Sequence, residues 1–139
     1  FTLIEMMLVI ALLVAIGGIS VPVYQVLQVK NNLDVAAYTV AQTLRRAQVL
    51  SQSGTEDSVW GVRVEGGGAI LFKGANFAGR DQSFDEVAEI SSNIIPSGIQ
   101  EVTYSKVAGE PQTIGGIVLT TSNNDVKTIT INAKGIIEY

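Results

Sequence analysis

The 139-residue chain has neither cysteine nor histidine. Without them, disulfide staples, cysteine nucleophiles, histidine-dependent triads and ordinary zinc sites are excluded. No basic residue precedes Lys30 and no A-x-A-like cleavage site follows, so the basic and cleavage regions of a secretory signal peptide are missing. The chain begins at Phe1 rather than Met, as expected of a mature protein whose leader has been removed. No Asn-x-Ser/Thr acceptor occurs, so N-glycosylation of that kind is not expected. The glycines at 66–68 are followed by neither Lys-Ser/Thr nor a helix start, which rules out a phosphate loop. Net charge is −4, and from residue 54 onward eleven acids outnumber six bases. An acidic exposed part argues against a broad nucleic-acid-binding surface.

Charge is also absent from residues 6–29, the apolar run on which the chain is organised. As a helix it reaches roughly 36 Å, enough for a bilayer core about 30 Å thick. Its one awkward residue is Glu5, since an ionised carboxylate at membrane depth costs about 2.5–3.5 kcal/mol on insertion scales. A free α-amino group is the natural partner, positively charged at neutral pH. It can come from the chain's own Phe1, one helical turn away, or from a neighbouring copy. In the second case a slipped subunit would leave a buried unpaired carboxylate, so the pair would set register. Glu5 solvated at headgroup level is the competing reading. Gly17, Gly18 and Pro22 weaken the same helix by about 5 kcal/mol together. In a bilayer the backbone must stay helical, whereas among protein neighbours residues 17–22 are free to unwind; a simple kink at Pro22 is the alternative.

The string Phe1-Thr2-Leu3-Ile4-Glu5-Met6, followed by an apolar helix containing Pro22, closely resembles the N-terminus of mature type IV pilins and type II secretion pseudopilins. The resemblance covers about thirty residues. It implies cleavage before Phe1 by a dedicated prepilin peptidase, N-methylation of the Phe1 amine, and a registering role for Glu5 against a neighbour's amine. It also implies a melted segment near Gly17, Gly18 and Pro22 in assembled fibres. Many relatives close a C-terminal loop with a disulfide; a cysteine-free chain must hold that loop by packing alone.

From residue 30 the pattern turns periodic. Leu33, Ala36, Ala37, Val40, Ala41, Leu44 and Ala47 recur at spacings of three and four, one face of an amphipathic helix. The helix is expected to end between Leu50 and Ser53, with Gly54 as its C-terminal cap, and Arg45 and Arg46 to favour its dipole. Beyond it, 59–64 and 69–73 form a hairpin around Gly66–Gly68. Residues 74–86 read as a polar surface loop. Further strands are expected at 86–95, 99–107, 116–121, 127–132 and 136–139, with turns at 96–98, 109–111, 122–125 and 134–135. The fold class is therefore α+β, a long N-terminal helix on a small antiparallel sheet. Its segments are an apolar helix over 1–29, an amphipathic helix over 30–53 and a β domain over 54–139. Residues 44–48, 58–62 and 129–136 also resemble, more weakly, the globular domain of H-type minor pilins and pseudopilins.

Glu56, Asp57, Asp85, Glu86 and Glu89 stand in turn-like polar contexts and lack the apolar cleft that a glycosidase pair requires. Asp81, Ser83, Asp85 and Glu86 offer oxygens for calcium, but without the glycine and distal Glu of an EF-hand loop. No metal or cofactor is expected. Taken with the resemblance, the expectation is a non-enzymatic structural subunit, a major pilin assembling with identical copies into a cell-surface filament, with motility, adhesion, secretion and DNA uptake all open as its use. Before assembly it would sit in the cytoplasmic membrane, and the pilus assembly machinery would be its partner. A minor pilin or pseudopilin of a secretion or DNA-uptake machine is the second reading. A membrane-anchored enzyme or receptor is the third, and no constellation of polar residues supports it.

Overall fold

A computed structural model describes residues 1–18 and 23–139. One long helix, α1 (Leu3–Gln52), precedes eight strands: β1 (Trp60–Glu65), β2 (Gly68–Lys73), β3 (Asp81–Glu89), β4 (Ile94–Gly98), β5 (Glu101–Tyr104), β6 (Gly115–Thr121), β7 (Val126–Ile131) and β8 (Ile137–Glu138). The chain divides into two compact units, Phe1–Asn31 and Asn32–Tyr139. The α+β class expected from the sequence is observed.

In the first unit Gly17 and Gly18 are helical, and nothing lies within 4 Å of where a Cβ would be added to either. The remainder of the expected interruption, including Pro22, lies outside the described residues.

The second unit is built on the apolar stripe of α1. Leu33, Ala36, Ala37, Val40, Ala41, Leu44 and Ala47 are all buried, none more than 5% exposed. Four alanines on that face let strands approach the helix closely. The strands form two antiparallel sheets rather than the single sheet expected, in the orders β3-β2-β1-β5 and β4-β6-β7-β8. Both contribute to the core around the stripe, the first through residues such as Val62, Val64 and Leu71, the second through Ile117, Leu119 and Ile129.

Three boundaries differ from expectation. Residues 81–86 are strand, not loop, because β3 pairs with β2. The expected strand at 86–95 is two strands separated by a turn at 91–93. Pro96 and Gly98, expected in a turn, lie in β4 opposite Leu119 and Ile117. β4 is an edge strand, where a missing N–H is tolerated.

The end of α1 fixes where the sheets begin. The helix stops at Gln52 and Gly54 takes the left-handed conformation (φ 65°) that glycine adopts without strain. Ser51 is fully buried there; its Oγ accepts from the Trp60 amide at 2.9 Å and tethers β1 to the helix. The Ser51 carbonyl accepts the Val107 N–H at 3.0 Å, which satisfies one of the last helical carbonyls. Val107 makes that bond from a left-handed conformation (φ 67°), costly for a β-branched residue.

Candidate assembly surfaces

Residues 1–5 begin the helix with a reciprocal arrangement. The Thr2 amide donates to Glu5 Oε2 and the Glu5 amide to Thr2 Oγ1, both at 3.4 Å. This is a capping box, Thr at the N-cap and Glu three residues on, with bonds at the long end of the useful range. The Thr-x-x-Glu spacing carries that signal in the sequence, beside the ion-pair role expected of Glu5. Phe1 is fully exposed, and no ion pair joins its amine to Glu5 among the described residues. Only one carboxylate oxygen of Glu5 is engaged, so Oε1 is available to a second donor.

On either side of Glu5 in sequence, the helix presents exposed apolar side chains. Leu3 is 79% exposed, Ile4 73% and Val14 69%, and Met7, Leu8, Ile10, Leu12 and Leu13 are all exposed. Among the described residues, α1 is the one helix long and apolar enough to cross a membrane. A surface of this kind is not stable in water and requires lipid or protein against it.

The acids singled out as possible ligands are dispersed by their partners. Asp85 accepts from Arg80 Nε with both oxygens, at 3.0 and 2.8 Å. Glu86 is held bidentately by Arg46, at 2.8 and 2.7 Å. Asp81 accepts from the hydroxyl and amide of Ser83, which hold its carboxyl below the usual range. Of the four residues with oxygens of the kind calcium takes, Asp81 and Ser83 bond to each other while Asp85 and Glu86 each hold an arginine, and no group of three acidic residues converges among the described residues. In the turn Thr55–Asp57, the Lys106 hydrogen bond to Asp57 lowers that carboxyl too, and Glu56 faces Lys73 at 3.5 Å.

Arg45 and Arg46 depart from their expected role. Both precede the last turn of α1, and no basic residue occupies it, so the dipole reaches them weakly. Arg46 instead bridges to Glu86 on β3. The Arg45 guanidinium lies 5.7 Å from the centre of the Tyr139 ring. Lys127 Nζ is 5.9 Å from the same ring, and Tyr38 meets it edge-on at 6.4 Å. This basic and aromatic cluster had no signal in the sequence, because it joins residues nearly a hundred positions apart.

Comparison with protein-family models, curated proteins and solved structures finds no match to the chain.

Proposed function

We propose that the protein is a structural subunit that polymerises into a type IV pilus or related cell-surface filament. The observation that carries this reading is the exposed apolar surface of residues 3–16, interrupted only by Glu5. Such a surface suits a segment that lies first in the membrane and later among the same segments of other copies. The Phe1–Met6 motif and the packing of the amphipathic part of α1 on antiparallel strands support the same reading. In the filament, Glu5 shifts from its long bond to the Thr2 amide toward the Phe1 amine of a neighbour, where donor and acceptor are both charged. Phe1 is the N-methylated residue, and residues 17–22 are where the helix unwinds. The chain has a structural role and no catalytic one.

The test is electron microscopy of cells producing the full chain together with an assembly apparatus. The wild-type chain is expected to dominate the mass of fibres, and Glu5→Gln to reduce their number about tenfold or more. Fibres of Glu5→Gln at wild-type abundance would overturn the pairing. Fibres in which the chain is a trace component would favour the minor-pilin or pseudopilin reading.

A further inference from the structure

The second unit carries two surfaces of opposite character. On β1, Trp60, Val62 and Val64 point into the core with the helix stripe, so Arg63 and Glu65 project from the other face. Strand register extends that outer face across the sheet. Ile70 pairs with Arg63 and with Val87, while Gly68 pairs with Glu65 and with Glu89. Ile70 and Val87 therefore lie side by side, Val87 60% exposed, with Glu65 and Glu89 at their border. Arg63 is shared between Glu65 at 3.2 Å and Glu101 at 3.4 Å, and Arg80, which lies over the same Phe77 ring as Arg63, is paired with Asp85 at 2.8 Å. Glu89 has no ion-pair partner among the described residues. The face is aliphatic and carries an excess of negative charge.

The other surface is the cluster on the helix side of the same unit: Tyr38, Arg45, Lys127 and Tyr139. Lys127 is partly neutralised by Asp34 at 2.6 Å. Arg45 is exposed and has no carboxylate partner among the described residues. This surface is aromatic and carries an excess of positive charge.

We propose that the occupant of each surface is the other surface on a second copy of this chain. Arg45 and its aromatic neighbours dock on the Ile70–Val87 patch, facing Glu65 and Glu89. The charge pattern selects this arrangement. A two-fold dimer through the sheet face would set Glu65 and Glu89 against themselves, and like charges brought together at an interface are strongly disfavoured. Two different patches, one on the first sheet and the other formed by α1 with the β7–β8 end of the second, meet head to tail instead. Such contacts propagate from copy to copy and leave a free surface at each end. The inference rests on the filament reading and adds to it a lateral contact between sheet-bearing units, apart from the N-terminal helix.

The test uses the full chain and measures the sedimentable, fibre-forming fraction of wild type, Arg45→Glu, Glu89→Lys, the double variant carrying both, and a 1:1 mixture of the two single variants. Circular dichroism melts check that each variant is folded. Each single reversal is expected to lower the assembled fraction about tenfold or more. The double variant and the mixture are both expected to recover wild-type assembly, because each restores a positive patch opposite a negative one. Wild-type assembly by either single variant overturns this contact and leaves the filament reading standing. Loss in both single variants without recovery in the double variant or the mixture also overturns it. A wild-type chain that forms no fibre sinks the filament reading and this contact with it.

Discussion

Tyr104 is fully buried, and its hydroxyl is the one buried side-chain polar atom without a hydrogen-bond partner among the described residues. Burial pushes its pKa well above the usual tyrosine range. Neutral Tyr104 is thus favoured in the folded chain, whereas in the unfolded chain it ionises near about pH 10. The stability tied to its protonation is fully present below that pH and is lost as pH rises beyond it. Tyr104→Phe deletes an unsatisfied hydroxyl and keeps the ring. It should leave stability near neutral pH unchanged or raise it by about 1 kcal/mol, and should remove the alkaline loss attributable to this residue. Melts of both full-length chains between about pH 8 and 11 check this. A Phe variant that is less stable at neutral pH would mean the hydroxyl has a partner. Ser51 is the contrasting case, a buried hydroxyl whose bond to the Trp60 amide joins helix to sheet. Glu5 shows how one residue has two local uses. The Thr-x-x-Glu spacing predicts a cap and the apolar surroundings predict an ion pair, and the isolated chain displays the cap.

At the scale of elements, legibility followed hydrophobic period. The stripe from Leu33 to Ala47 repeats at helical spacing, and every member is buried. The β1–β2 hairpin was equally plain, because its strands alternate and its turn holds Gly66 and Gly67, the latter at φ 98°. β3 was hidden because it is a polar edge strand. Its pairing with β2 breaks between Leu71 and Lys73, where residues 82–85 stand opposite the single residue Phe72. β4 was hidden by Pro96, read as a turn signal when it marks an edge. The two assembly surfaces were less legible still. They depend on strand register and on contacts between α1 and the far end of the chain, neither of which local sequence encodes.

The glycine pair in α1 offers a prediction at the same scale. Gly17→Ala with Gly18→Ala adds about 2 kcal/mol to the cost of unwinding that segment, and each added methyl meets open space. If the segment melts on assembly, as we propose, the assembled fraction falls by a factor of about thirty at equilibrium. Sedimentation of fibres from the double variant reads this directly. Unchanged assembly would mean that the segment stays helical in the fibre.

For the molecule as a whole, the two units have different needs. Asn32–Tyr139 buries its own core between one helix face and two sheets, whereas in Phe1–Asn31 nearly all the described apolar side chains are exposed. A chain divided in this way depends on an environment for its first unit. The proposal is that this environment changes from lipid to other copies, with Glu5 as the device that makes the second environment specific. The most direct measurement is a helical reconstruction, by electron cryomicroscopy, of fibres assembled from the full chain. It is predicted to show the sheet-bearing unit repeated along the fibre, with each Glu5 carboxylate within about 4 Å of a neighbouring Phe1 amine. Fibres whose repeating density does not fit this chain, or in which Glu5 still caps Thr2 with no amine beside it, would contradict the account.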